Sequence, residues 1–113
     1  MKRRDPHLAL RQMIDHAREA LEMVKGRTRA DLDEDRQLNL SLVRLLEIVG
    51  EAANRVPREV QARYGDIPWP AIIGLRNRLI HGYDAVDLDI VWRIVQEDLE
   101  PLIRMLERAQ DFP

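Results

Sequence analysis

The sequence predicts an all-α fold, a bundle of four principal helices plus short helical turns. Long stretches place apolar residues at the 3.6-residue spacing of a helix, no stretch alternates as a half-buried strand does, and the connections between helices are short. A chain of 113 residues is large enough to bury one core and too small to divide it. We therefore expect a single domain that covers residues 1–113.

The first helix is predicted from about residue 6 to residue 25. Asp5 is a good N-cap, Pro6 suits the first helical turn, and Gly26 ends the pattern. The apolar residues of this stretch recur at helical spacing. They are Leu8, Leu10, Met13, Ile14, Ala17, Leu21 and Val24.

The second long helix is predicted to end before Pro57, because a proline disfavours the helical conformation in the residue before it. Thr28 and Asp31 are expected to form a short capping turn ahead of this helix. Its apolar positions are Leu38, Leu42, Leu45, Leu46, Val49, Ala52, Ala53 and Val56.

Two carboxylates of the second helix, Glu47 and Glu51, are one helical turn apart. Such a pair can bind a metal ion or share a proton. On an amphipathic helix that also carries Arg44 and Arg55, it more often forms a solvated, salt-bridged face. We favour the salt-bridged face.

Residues 69–84 concentrate more reactive side chains than any other segment. A helix is predicted from Pro70 to His81, since proline suits the start of a helix and Gly82 can take the left-handed cap that closes one. A short helical turn over 58–64 should precede it.

Apolar residues surround more than half of this predicted helix, so we expect it to be mostly buried. Buried arginines need partners, so Arg76 and Arg78 should meet carboxylates, line a cleft or lie at a subunit boundary. Asn77 precedes His81 by one turn and would orient its ring. Arg76 would lie ~140° from His81 around a straight axis. Either the last turn unwinds, or a second copy of the motif completes the site.

His81 would then lie at a helix C-terminus, where the helix dipole favours a protonated imidazole. Two interpretations of this residue remain open on the local pattern. It is a plain capping histidine that binds the last carbonyls, or it is a proton-transfer residue of a catalytic site.

The last helix is predicted from the N-cap Asp87 to about Gln110. Pro101 falls inside it and removes one backbone hydrogen bond, so a kink is expected near Glu97. Trp92 is expected to pack in the core or across a dimer interface rather than to stack on a base.

Composition limits the possible chemistry. Cysteine is absent, which excludes disulfides and a cysteine nucleophile, and His7 and His16 have no third metal ligand near them in sequence. The 18 basic and 20 acidic residues balance, so any RNA contact must be a local patch rather than a basic surface. No signal sequence or membrane span is predicted, and we expect a cytoplasmic protein.

The order Arg-Asn-x-x-x-His-x-Tyr, formed by residues 76–83, resembles the signature of HEPN domains and of the HepT-like ribonuclease toxins in particular. The resemblance covers nearly the whole chain. Three further blocks are similar to that family in the same order, namely residues 46–53, 67–69 and 86–92.

The resemblance implies a HEPN-type up-and-down bundle and a homodimer that joins two motifs in one cleft. It implies that Arg76 and His81 are catalytic, that Asn77 supports them, and that the chain is a metal-independent endoribonuclease toxin without a cofactor. Arg78 is then expected to contact the RNA backbone. Tyr83 would be adenylylated by the minimal nucleotidyltransferase antitoxin of a type VII toxin–antitoxin system.

Two alternatives stay open beside this interpretation. Tyr83 can instead be a core tyrosine or a platform on which a base stacks. HEPN domains also serve as non-catalytic nucleotide-binding or partner-binding modules, a role that the balanced charge of this chain suits.

Overall fold

A computed structural model describes residues 5–81 and 85–111, and for His81 it describes the backbone alone. The described part contains three long helical elements, several short helices and one pair of two-residue strands. In chain order the elements are α1 (Pro6–Met23), α2 (Arg29–Glu34), α3 (Arg36–Arg55), α4 (Arg58–Arg63), α5 (Trp69–Ile73), α6 (Leu75–Leu79), β1 (Ile80–His81), β2 (Ala85–Val86), α7 (Leu88–Arg93), a π-helical turn (Ile94–Asp98) and α8 (Leu99–Asp111).

The helix ends follow the predicted capping signals. The Asp5 carboxylate accepts a hydrogen bond from the His7 N–H at 2.9 Å, and the Asp87 carboxylate accepts one from the Ile90 N–H at 3.1 Å. The Asp31 carboxylate accepts from the Thr28 N–H at 2.7 Å, as the expected capping turn requires. The predicted all-α fold is confirmed, with the small strand pair as an addition.

The core lies where α1 packs along both α3 and α8. Its largest fully buried side chains come from all three of these helices and from the short elements beside them. They are Leu10, Met13, Leu32, Leu42, Leu46, Leu79, Leu99, Leu106, Val49, Val56 and Val91. Trp92 is half-buried against this core, in agreement with one of its two predicted positions.

Near Glu97, where Pro101 predicts a kink, the structure has a π-helical turn over Ile94–Asp98. Proline has no N–H, so it cannot donate to the carbonyl four residues before it. A π turn accommodates the mismatch by pairing residues five apart, and the Leu99 N–H donates to the Ile94 carbonyl.

The predicted helix from Pro70 to His81 is the main error. The structure breaks it at Gly74 into α5 and α6, and the chain leaves the helix after Leu79. No helix within the described residues is both long and apolar enough to cross a membrane.

Candidate active site

A buried hydrogen-bond network holds the start of α5 against the end of α3. The Trp69 indole N–H lies 3.0 Å from the Gln61 carbonyl and 3.2 Å from the Tyr64 carbonyl. The Gln61 side-chain amide donates in turn to the carbonyls of Ala53 and Val56, at 3.3 and 3.0 Å. The Ala53 carbonyl also accepts from the Val56 N–H at 3.1 Å, and the Val56 carbonyl lies just beyond the last turn of α3, so the network supplies donors to both acceptors at this helix end.

Gly50 allows α3 and α5 to approach each other closely. A Cβ atom at this position would lie only 2.7 Å from the Ile72 carbonyl oxygen, which is closer than any ordinary contact. Gly50 thereby sets the distance between the two helices, and through it the position of α6.

The three polar residues of α6 lie on the protein surface. Arg76, Asn77 and Arg78 are exposed, and the Arg76 side chain keeps 77% of its accessible area. The expected burial of these arginines is therefore wrong. The core takes Leu75 and Leu79 instead, and helical spacing turns the residues between them outward.

His81 is not at a helix C-terminus, contrary to the prediction. Ile80 is already extended, and β1 pairs antiparallel with β2, with His81 opposite Ala85. The Leu79 carbonyl accepts from the Asp87 N–H at 2.8 Å, so a distant residue supplies the bond that a continuing helix would make. β-Branched Ile80 also favours the extended form.

Two expectations fail with the helix. The one-turn relation between Asn77 and His81 does not exist, because the helix ends between them. The ~140° separation of Arg76 from His81 assumed a straight helix, and it no longer applies because the last turn unwinds, which is the first of the two alternatives.

Arg76 faces a groove of about 180 Å³ between α3 and α5–α6. Its Nε atom lies 3.6 Å from the Glu47 carboxylate, whose side chain is only 18% exposed. Glu51, one turn further along α3, contacts Arg44 at 3.3 Å instead. Both glutamates form ion pairs, as predicted, but Glu47 is largely buried rather than solvated, and its partner comes from α6 rather than from its own helix.

Arg78 belongs to a different surface. It lines an apolar cavity of about 290 Å³ between α5–α6, the π-helical turn and α8, with Glu97 and Asp98 also in its wall. Arg76 and Arg78 therefore do not line one cavity. This follows from their spacing, since residues two apart point to nearly opposite sides of a helix.

Tyr83, Gly82 and the side chain of His81 lie outside the described residues. The other two histidines, His7 and His16, are on α1. Among the described side chains of residues 5–80 and 85–111, no three His, Asp or Glu residues are grouped so that they could hold a metal ion.

Comparison with known proteins gives a consistent result. A family model described as "Ribonuclease HepT-like" matches residues 6–109. The chain is 31% identical over 101 residues to "Probable ribonuclease HepT" of Thermococcus cleftensis, covering 86% of this chain and 92% of the relative. It is 29% identical over 107 residues to "Putative RNase MJ1380" of Methanocaldococcus jannaschii, covering 95% and 98%. No solved structure matches significantly.

Proposed function

Because this chain belongs to the HepT-like ribonuclease family, we propose that it is an endoribonuclease with Arg76 and His81 as its catalytic residues. The observation that carries the proposal is the position of the motif. It falls inside the matched residues, and α6 exposes the Arg76 guanidinium at the edge of a groove, where a phosphate can reach it.

The residue types of the motif fit cleavage by the 2′-hydroxyl of the RNA itself. This reaction needs a base to remove the 2′-hydroxyl proton, an acid to protonate the leaving 5′-oxygen, and a cation to stabilise the pentavalent phosphorane. Imidazole transfers protons near neutral pH, and a guanidinium binds phosphate oxygens in pairs. We propose that His81 and Arg76 supply these groups without a metal ion.

A homodimer would complete the site. One chain offers one motif histidine, since His7 and His16 are on α1, whereas two imidazoles would divide the acid and base roles between them. A two-fold axis near the motif would bring two copies of His81 to one scissile phosphate. Asn77 would support this site, and the exposed Arg78 would contact the RNA backbone away from the reacting phosphate.

Control of the activity would lie at Tyr83. We propose that the chain is the toxin of a type VII toxin–antitoxin pair, and that a minimal nucleotidyltransferase antitoxin adenylylates this tyrosine. An added phosphate two residues from His81 would repel and occlude the RNA backbone.

One observation favours a different class of function. The α3 wall of the Arg76 groove carries Glu47 and Glu51, and two carboxylates beside the proposed phosphate site oppose RNA binding. A non-catalytic module that binds a partner protein accounts for the same surface, whereas the phosphate of a bound nucleotide would meet the same repulsion.

Cleavage of defined RNA oligonucleotides separates the two functions. The proposed enzyme cuts in EDTA, leaves a 2′,3′-cyclic phosphate and a 5′-hydroxyl, and spares 2′-O-methylated RNA and DNA of the same sequence. Wild-type protein that cuts no RNA but binds a nucleotidyltransferase or a mononucleotide would establish the binding module instead.

A further inference from the structure

Glu47 and Arg76 differ sharply in how firmly the protein holds them. Glu47 emerges from the middle of the 20-residue helix α3 and keeps 18% of its side-chain exposure, whereas Arg76 keeps 77%. A carboxylate that is mostly withdrawn from water is costly without a counter-charge. Glu47 is therefore the more firmly held partner of the exposed Arg76 guanidinium.

The contact between Glu47 and Arg76 is made at Nε rather than at the two Nη groups. The Nε atom lies 3.6 Å from the Glu47 carboxylate. The two terminal Nη groups form the rest of the guanidinium fork, and such a fork clamps phosphate oxygens in a bidentate way. A carboxylate near Nε attracts that side of the guanidinium, and it would leave the Nη groups free to bind phosphate oxygens.

We infer that Glu47 is a positioning residue for Arg76, holding the guanidinium so that its Nη groups face the scissile phosphate. This inference rests on the proposed ribonuclease function for its catalytic consequence. The orientation of Arg76 by Glu47 is a property of the protein that can be measured without RNA.

Glu51 provides a matched control on the same helix. It lies one turn from Glu47 and lines the same groove, yet its side chain is 53% exposed and its ion pair is with Arg44 of α3. Glu47→Gln and Glu51→Gln each remove one negative charge from the groove and keep the side-chain shape. A difference between the two variants therefore reports the contact with Arg76 rather than the charge of the groove.

The first measurement is NMR of the Arg76 Nε–H group in wild type and both variants, by ¹⁵N relaxation and by titration with inorganic phosphate. We expect an ordered Nε–H in wild type and in Glu51→Gln. In Glu47→Gln we expect a mobile group, and phosphate binding that is several-fold weaker than in Glu51→Gln, which loses the same charge. If Arg76 has the same order in all three proteins, or if phosphate binds to Glu47→Gln as tightly as to Glu51→Gln or more tightly, the inference is overturned.

The second measurement is RNA cleavage, with melting temperatures to verify folding. Glu47→Gln should lower kcat about ten-fold, because small misplacements of a catalytic group reduce rates by up to about a hundred-fold. KM should change little, since RNA affinity is spread over many phosphates. Equal kcat values for Glu47→Gln and Glu51→Gln would overturn the catalytic role of Glu47. A wild type without activity would refute the proposed function and leave the NMR result to decide whether Glu47 orients Arg76.

Discussion

Gly50→Ala tests the close approach of α3 and α5. The added Cβ would lie 2.7 Å from the Ile72 carbonyl oxygen, so the two backbones must separate by about 0.7 Å to reach the 3.4 Å of ordinary contact. Overpacking of this kind costs about 1–3 kcal/mol. Alanine also favours a helix over glycine by about 1 kcal/mol.

These two effects on the free energy of unfolding have opposite signs, and the steric overlap should be the larger. We expect the variant to lose up to about 2 kcal/mol of unfolding free energy, or up to about 8 °C in melting temperature at roughly 4 °C per kcal/mol. Moving α3 away from α5 also displaces Glu47 relative to Arg76. RNA cleavage should therefore fall at least about ten-fold at temperatures where the variant is folded.

Two other glycines provide controls for this variant. A Cβ at Gly65 would lie 3.6 Å from the Ala62 carbonyl oxygen, an ordinary contact, so Gly65→Ala should change little. Gly26 has a φ of 72° with open space around it, so Gly26→Ala should lose about 1 kcal/mol through backbone strain and keep full activity. Gly26→Ala therefore shows how a loss of stability alone affects cleavage, without a change in site geometry.

Urea unfolding and RNA cleavage, measured on all three variants, show whether the close approach of α3 and α5 controls stability and activity. If Gly50→Ala is more stable than wild type by about 1 kcal/mol, as an unhindered glycine-to-alanine change in a helix would be, then α3 and α5 are not in close contact. If it is destabilised but cuts RNA at the wild-type rate, helix spacing does not control the Arg76 site.

Three further predictions concern catalysis, control and acid stability. Arg76→Ala and His81→Ala should each abolish cleavage with the helical circular dichroism unchanged, and loss of the fold would show a structural role instead. Adenylylated Tyr83 should block cleavage, and Tyr83→Phe should escape the antitoxin; equal rates with and without the modification would remove Tyr83 as a control point. The hydrogen bond from the Leu38 N–H, and then Arg27, hold the pKa of Asp35 below its ordinary value of 3.8. Asp35→Asn should therefore unfold in less urea than wild type at neutral pH. This difference should disappear as the pH falls below about 3.8, because Asp35 then becomes protonated in the folded protein as well. A difference that stays constant with pH would show that the charge of Asp35 does not stabilise the fold.

The long helices could be predicted because their signals are local. Asp5 and Asp87 cap helices with their own side chains, and Pro57 ends α3 through its effect on the preceding residue. Each of these effects acts within a few residues along the chain. Local chemistry therefore determined these three helix boundaries.

The break in the motif helix could not be predicted in this way. Ile72, Leu75 and Leu79 fit one continuous helical pattern, and they are buried as that pattern implies. The helix nevertheless ends because the Leu79 carbonyl accepts from the Asp87 N–H, eight residues further along the chain. A strand pairing between separate segments competes with the helix, and the spacing of apolar residues does not predict which of the two forms.

The partner of Arg76 was missed for a related reason. Glu47 is 29 positions earlier, and its spacing from Arg44 suggested an ion pair within one helix. One signal pointed elsewhere: Gly50 lies in the middle of a strongly amphipathic helix, where a glycine is unfavourable and suggests a close packing contact. That contact is the one that brings α5, and with it Arg76, to the face of α3 that carries Glu47.

The unwound end of the motif also changes the argument for a dimer. On a straight helix, geometry alone would have required a second chain, because Arg76 and His81 would have faced different directions. With Ile80 and His81 extended, that requirement disappears. What still supports two chains is the chemistry, since one motif histidine cannot act as base and acid on the same phosphate at once. A mixed dimer with one His81→Ala chain therefore tests the chemistry directly: near-total loss of cleavage supports paired histidines, whereas half the wild-type rate would make each chain a complete enzyme.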